Sequence, residues 1–486
     1  MSDSLRERTI SGMLWSFMQK FGTMAIAFVA NIVLARLLTP DDYGCIGMLL
    51  IFIAVANTFI DGGFGSALIQ KKEPTQEDYS TIFYWNLFLS IVLYGILFFT
   101  APFIADFYEI SLLTPVLRVQ GGVLILNALS IIQCNQLRKQ LRFRSIASVN
   151  LTASLLSVVI TIVLAWIGWG IWALVAQQLL FSLFNAILFW SFNKWVPSFL
   201  FSKKSFKELF GFGGFILLSS LINTFCDNIH GVLIGKFFSP AIMGLYTQAR
   251  KLEEIASTSI SSVVNQVAYP VLSEFQNDNL SMIRVLQRFI TSLAFLVFPL
   301  MMLLILIAKP LIILLYSDKW VASVPYFQIL CIAGMAICLQ MINYNAVAAI
   351  GRSDILLKWT IIKRSLGLIL NIGGLICFGM YGLLWGGVLT AYSLYFINSY
   401  LVSRYVGYRI KSQIKDLFPI IITVLLTFVI TYFLSNLVVL NIYFEGLSVT
   451  IIFMILYLSL SSVFNLSSFN QFRMLGVEVI KKFRTA

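Results

Sequence analysis

The sequence predicts an all-α polytopic membrane protein of about 14 transmembrane helices, built as two parallel-repeat six-helix lobes plus two C-terminal helices. Three observations predict it. First, of 486 residues 59% are hydrophobic and 11% charged, with a mean hydropathy of +0.89. A soluble domain carries roughly 25% charged residues, so lipid solvates most of this chain. Second, Ala35-Arg36-Leu37-Leu38-Thr39-Pro40 with Gly44 returns as Gly235-Lys236-Phe237-Phe238-Ser239-Pro240 with Gly244. Small, basic, apolar, apolar, hydroxyl, proline and a later glycine match in order, which a chance pair of turns would not require. Third, the basic residues fall in alternate loops.

Apolar windows of about one membrane thickness place the spans near 12–38, 44–68, 80–105, 116–136, 146–167, 170–193, 211–237, 242–270, 286–308, 322–350, 355–379, 382–403, 417–439 and 446–466. The first run follows Arg6 and Arg8 as a signal peptide would, but it is too long for a signal core and no cleavage site follows. It reads as an uncleaved first span. Six spans separate the two copies of the repeat, so both run the same way through the membrane. They are parallel repeats about an axis along the membrane normal, the arrangement of a two-lobed transporter. The expected organisation is an N-terminal lobe over 1–195, a cytoplasmic linker over 196–210, a second lobe over 211–405, and spans 13 and 14 with a cytoplasmic tail over 406–486. No intervening stretch approaches the roughly 50 residues of a soluble domain.

Charge sets the orientation. An inside N-terminus puts Lys71, Lys72, Arg138, Lys139, Arg142, Arg144, Lys194, Lys203, Lys204 and Lys207 on the cytoplasmic side, together with Arg404, Arg409, Lys411, Lys481, Lys482 and Arg484. The opposite loops hold chiefly Asp41, Asp42, Asp106, Glu109, Asp318 and Glu445. Both termini are then cytoplasmic. The formal charge of +13 is scattered between apolar spans, which suits anionic lipid headgroups and topology rather than nucleic acid. The segment Arg138 to Arg144 interleaves bases with apolar residues and reads as an interfacial helix touching lipid. The six cysteines never form C-x-x-C and mostly sit in apolar segments, so neither a disulfide frame nor a zinc site is expected.

Charges inside spans carry an insertion cost of about 2.5–3.5 kcal/mol each and mark pathways. Here they are Lys20, Asp61, Asp227, Arg250, Lys251, Glu253, Glu254, Lys363 and Arg364. Arg36, Arg118 and Lys236, near outer span ends, need only snorkel to the interface. Lys20 lies roughly 12 Å inside span 1 at 1.5 Å per residue. Arg250 with Lys251, and Lys363 with Arg364, lie at similar depth in spans 8 and 11. Facing cationic surfaces on two lobes would form a water-filled cavity for an anionic headgroup such as a pyrophosphate, with Lys20, Arg250, Lys251, Lys363 and Arg364 as cargo contacts. Arg250 also has the spacing to pair with Glu253 or Glu254 on one helix face. Asp61, Asp227, His230, Glu253 and Glu254 are the candidates for gating or coupling. His230, the single histidine, is three residues from Asp227 and suits either proton relay or a satisfied contact between helices. Asp61 precedes Gly62-Gly63 and Gly65, small residues that admit close approach and backbone movement.

These motifs resemble a family. Leu5-Arg6-Glu7-Arg8-Thr9-Ile10-Ser11-Gly12 with Trp15-Ser16, and Asp61-Gly62-Gly63-Phe64-Gly65-Ser66-Ala67-Leu68-Ile69-Gln70, are similar to segments of bacterial Wzx-type polysaccharide exporters of the colanic acid exporter kind. So is the stretch from Asp227 through Ile234-Gly235-Lys236 to Pro240, Gly244, Tyr246 and Ala249. Tyr316-Ser317-Asp318-Lys319-Trp320 resembles the family's Gly-Glu-Lys-Trp turn, with Ser-Asp in place of Gly-Glu. The resemblance covers essentially the whole chain. It implies the multidrug/oligosaccharidyl-lipid/polysaccharide superfamily, alternating access, a bacterial inner-membrane location, and a role in surface polysaccharide synthesis. The implied cargo is an undecaprenyl-pyrophosphate-linked oligosaccharide moved from the cytoplasmic to the periplasmic leaflet, next to a polysaccharide polymerase machinery. No cofactor is implied. A proton, a sodium ion, the membrane potential or consumption of product outside could each drive it.

Two alternatives come from other chemistry. A cation-coupled multidrug antiporter of the same superfamily would carry an acidic, apolar cavity, whereas these interior charges lean basic. A membrane glycosyl-transferring enzyme would need catalytic groups and normally a sizeable outer loop, and one histidine with short outer loops argues against it.

Overall fold

A computed structural model describes residues 3–276, 278–437 and 441–474. Seventeen helices account for nearly all of them, and compactness divides the chain into two units between Thr247 and Gln248.

In the first unit, α1 (Asp3–Leu37) is followed at once by α2 (Pro40–Asp61). The hinge is chemically specified. Thr39 accepts from the Asp42 amide, the Asp42 carboxylate accepts from the Thr39 amide at 2.9 Å, and Pro40 occupies the first turn. Such a cap is worth about 1 kcal/mol. The chain turns at Gly62 and Gly63, both at positive φ, into α3 (Phe64–Gln70). A second capping box at Thr75 and Asp78 starts α4 (Gln76–Tyr108). Then come α5 (Leu113–Gln120), α6 (Val123–Lys139), α7 (Phe143–Trp166), α8 (Ile171–Phe192) and α9 (Lys203–Phe237).

The segment 196–210, expected as a linker, is bound to the helices around it. Its peptide and side-chain groups bind the start of α4: Gln76 Nε2 donates to the Val196 carbonyl at 2.7 Å, the Ser80 and Ser198 hydroxyls pair at 2.9 Å, and the Ser202 amide donates to Thr81 Oγ1 at 3.0 Å. From Lys203 onward it is already α9, with Leu209 buried among Phe64, Leu68, Ile82, Phe83 and Ile132.

Helix α10 (Pro240–Glu274) begins with the second copy of the repeat. Its first turns cross those of α2 reciprocally. A Cβ on Gly44 would fall 1.8 Å from the Pro240 carbonyl oxygen, and a Cβ on Gly244 would fall 1.8 Å from that of Pro40. Backbone meets backbone here, so the glycines of both copies are steric requirements. The duplicated motif thus makes its own partner.

The second unit continues from α10 with α11 (Asn279–Leu306), capped by Asp278, then α12 (Ala308–Tyr316) and a 3₁₀ turn (Asp318–Ser323). In that turn the Trp320 side chain is fully buried beside Tyr316. Next are α13 (Val324–Ala349), α14 (Ser353–Tyr405), α15 (Ile410–Leu437) and α16 (Ile442–Val463). The long α14 is a hairpin. Phe378 and Gly379 leave helical geometry, and the halves return against each other: Gly382 on Gly374, Gly386 on Leu370, Thr390 on Gly367, and Asn398 on Lys363.

Twelve helices among the described residues are long and apolar enough to cross a membrane, against the expected fourteen. The two differences have causes. Expected spans 11 and 12 lie within one run, Lys358–Tyr405, that folds back at Phe378–Gly379. Expected span 8 is α10, which Arg250, Lys251, Glu253, Glu254 and the hydroxyl- and amide-rich run from Ser257 to Gln266 make too polar to qualify. Lys481, Lys482 and Arg484 lie outside the described residues. The expected interfacial helix at 138–144 is instead the end of α6, a turn at Gln140–Arg142, and the start of α7. Lys139 is drawn into the fold, its ammonium donating to the carbonyls of Leu68, Ile69 and Lys71 at the end of α3.

Candidate functional site

Every intramembrane charge expected from the sequence falls on a helix, and exposure sorts them. In the first unit, Lys20 on α1, Asp61 at the end of α2 and Asp227 on α9 are all exposed. Asp61 feels the positive charge of Arg138, which lies beyond ion-pair distance. The helix behind it is fixed by polar contacts between neighbours: Asn127 Nδ2 donates to Asn57 Oδ1 at 2.9 Å, and the Thr58 and Thr224 hydroxyls pair at 3.0 Å. His230 is half-buried with its ring centre 6.0 Å from that of Tyr246, a contact between α9 and α10.

In the second unit the set divides. Lys251 and Glu254 are exposed and Arg250 is half-buried. Glu253 is 6% exposed, and its Oε1 has no hydrogen-bond partner. It lies over Gly334 of α13, where a Cβ would come within 2.4 Å of that oxygen. The charges of Arg250 and Glu254 both act on it. Lys363 is 7% exposed; its ammonium donates to Asn398 Oδ1 at 2.8 Å and sits 5.6 Å from the Tyr344 ring centre. Asn398 in turn donates to the Gln340 carbonyl at 3.2 Å. Lys363 therefore pins the two limbs of α14 to each other and to α13, while its neighbour Arg364 is half-buried.

Two outer bases expected only to snorkel are also fixed. Arg118 Nε donates to the Phe98 carbonyl at 3.2 Å with its guanidinium 4.4 Å from the Phe98 ring centre. Lys236 donates to the Phe107 carbonyl at 2.8 Å and lies 3.5 Å from Glu109. Both brace α4.

Sequence reasoning missed the partners Arg138, Gly334, Tyr344 and Asn398, since none is close in sequence to the charge it meets. It also missed a triad at the 71–78 connection. Lys71 lies 3.0 Å from Asp78 and 3.2 Å from Glu208, joining the start of α4 to α9. Burial pulls the Lys71 pKa down, but the hydrogen bonds to Asp78 and Glu208 outweigh it and hold it above the ordinary lysine value.

Twelve helices long and apolar enough to cross a membrane among the described residues, several of them carrying charges, define a multi-pass membrane protein, and comparison with known proteins gives its family. The chain belongs to the family described as polysaccharide biosynthesis protein, which it matches over residues 33–325. It is 27% identical over 358 residues to the teichuronic acid biosynthesis protein TuaB of Bacillus subtilis (73% of this chain, 74% of that protein). It is 24% identical over 374 residues to the lipopolysaccharide biosynthesis protein WzxC of Escherichia coli (75% and 74%), and 24% identical over 351 residues to the succinoglycan biosynthesis transport protein ExoT of Rhizobium meliloti (72% and 71%). Among solved structures, the lipid II flippase MurJ in an inward closed conformation superposes with a TM-score of 0.75 at 17% identity, covering 93% of this chain and 98% of that one. An inward-facing multidrug resistance transporter of the MATE family gives 0.60 at 15% identity, covering 82% and 98%. The relatives are named for transport and polysaccharide synthesis, which sets aside the glycosyl-transferring enzyme.

Proposed function

We propose that the protein is an alternating-access flippase that turns an undecaprenyl-pyrophosphate-linked oligosaccharide from the cytoplasmic to the periplasmic leaflet of the bacterial inner membrane, for surface polysaccharide synthesis. One observation carries the reading: lysines stand exposed inside helices of both units, Lys20 on α1 and Lys251 on α10. A charge at that depth is costly unless it meets water or an anion. A diphosphate is the cargo such bases suit, and the names of WzxC, ExoT and the MurJ fold neighbour point the same way.

In this reading fourteen spans cross the membrane, with α10 and both limbs of α14 counted, and both termini lie in the cytoplasm. The lobes are 1–195 and 211–405, related as parallel repeats. The reciprocal Gly44–Gly244 crossing, where the two copies touch, supports that relation and is the contact that must loosen when the outer side opens. Lys20, Arg250, Lys251 and Arg364 receive the headgroup, Arg250 by bidentate contact with phosphate oxygens, while Lys363 holds the frame. Asp61, Asp227, His230, Glu253 and Glu254 gate or couple the motion. Exchange of Arg250 between its acidic neighbours and the cargo would link binding to closure through differential affinity.

Substitution tests it. Arg250→Gln is expected to abolish surface polysaccharide while leaving the amount of protein in the membrane unchanged, and Arg250→Lys to retain partial export. Intact export in Arg250→Gln would remove the residue from the cargo path. Orientation is checked by cysteine labelling, expected from the cytoplasm only within 70–79 and from outside only within 106–115.

A further inference from the structure

We propose that Ser11, Trp15, Arg142 and Arg144 form a seat for the phosphate of an anionic phospholipid, fastening α1 to α7 at the membrane surface. A concave pocket of about 270 Å³ is lined by Ser11, Gly12, Trp15, Leu141, Arg142, Phe143 and Arg144. Its two guanidiniums are exposed, and among the described residues neither meets a carboxylate within ion-pair distance. The Arg144 guanidinium lies 5.4 Å from the Trp15 ring centre, so the indole holds one base in place without neutralising it.

The local fold presets the second base. The Leu141 amide donates to the Arg138 carbonyl at 3.0 Å and the Arg142 amide to the Leu137 carbonyl at 2.9 Å, with Leu141 at φ +55°. This closed turn delivers Arg142 to the head of α7, two residues from Arg144. The floor is apolar, because the Phe143 ring lies over Gly12, with a Cβ there only 2.6 Å from the ring.

Level and composition select a lipid over a free ion. The apolar stretch of α7 begins at Phe143, and in α1 the sequence passes from the charged Arg6, Glu7 and Arg8 to an apolar run at Gly12, so the lining residues stand near the ends of two candidate spans, the level at which lipid phosphates lie. Two arginines supply fork-shaped donors for phosphate oxygens. Trp15, Leu141 and Phe143 offer the apolar flank that an acyl-bearing headgroup meets and a dissolved phosphate does not. Because α1 also carries Lys20, a lipid held here fixes the helix that presents that base. The seat itself stands on the pocket's geometry and is independent of what the protein carries.

The test uses the full chain in nanodiscs of phosphatidylethanolamine with phosphatidylglycerol, with bound lipid counted by native mass spectrometry. Each basic residue near an anionic surface contributes about a fivefold factor. Arg142→Gln, an exposed side chain, is expected to cut retained phosphatidylglycerol about fivefold, and R142Q with R144Q by more than about tenfold. Arg142→Lys with Arg144→Lys should keep most of it, and phosphatidylethanolamine should not change in any variant. Equal phosphatidylglycerol on wild type and on Arg142→Gln overturns the proposal. Removal of the lipid by excess inorganic phosphate overturns the lipid assignment and leaves a free-anion site. Because the readout is retained lipid, failure here is distinguishable from failure of Arg250→Gln to stop export.

Discussion

Two places in the molecule bring glycine backbones into direct contact, and they differ in what they join. At the α2–α10 crossing, Gly44 meets the Pro240 carbonyl and Gly244 meets that of Pro40. In the α14 hairpin a Cβ on Gly374 would lie 2.1 Å from the Gly382 oxygen, and one on Gly382 would lie 1.9 Å from the Gly374 oxygen. The contact chemistry is the same. The hairpin joins neighbours across one turn and is further pinned by the buried Lys363–Asn398 bond. The crossing joins segments far apart in sequence, the glycine–carbonyl contacts continuing one turn on with the Met243 and Thr247 side chains against Gly47. One is a clamp within an element, the other is the contact proposed to open, and none of the residues named at it is a buried charge.

The largest expected effect is at the clamp. Gly382→Ala puts a methyl group into a backbone carbonyl with no flexible side chain to yield, at a cost of about 3 kcal/mol. Loss of folded protein from the membrane is the outcome to look for by quantitative blotting. Gly44→Ala makes an equal clash, but at the contact proposed to open. Here the protein should remain in the membrane while export falls, and the Gly44→Ala, Gly244→Ala pair should cost less than the sum of the singles because one displacement of the two helices accommodates both methyl groups. If Gly44→Ala removes the protein as thoroughly as Gly382→Ala, the distinction between clamp and opening contact fails.

Asn398→Leu sharpens the comparison from the polar side. Removing the acceptor leaves a buried ammonium without its hydrogen bond, worth about 2 kcal/mol, measurable as a lower melting midpoint in detergent. The smallest effect belongs to Lys71→Met, which cuts the partly buried tie between the start of α4 and α9, at the end of α9 remote from the crossing. About 1 kcal/mol is expected. Since the Lys71 pKa is raised in the fold, its contribution is complete below the ordinary lysine value of 10.5 and disappears as pH rises through the folded value. Wild type and Lys71→Met should therefore melt further apart at neutral pH than in strong alkali, and a constant gap would mean the contact is not ionic.

Sequence alone determined what depends on composition and on neighbours along the chain. Lipid as the solvent follows from the run lengths of apolar residues. The Thr39–Pro40 hinge follows from a cap whose partners are three residues apart, and membership of an exporter family follows from motifs contiguous in the chain. The duplication was legible too, because Pro40–Gly44 and Pro240–Gly244 share their spacing. Tertiary structure decided what depends on distant partners. A lysine in a span reads the same at Lys20 and Lys363, yet one is exposed and the other is buried on Asn398. Glu253 and Glu254 are adjacent, yet one lies over Gly334 and the other is exposed. Arg138 to Arg144 has the composition of a surface helix but breaks into a turn at Leu141, closed by amides on the Arg138 and Leu137 carbonyls, while Lys139 reaches the carbonyls at the end of α3. Charge and hydropathy are properties of a residue and its sequence neighbours. Whether a charge is solvated, paired or held against another helix depends on groups brought near by folding.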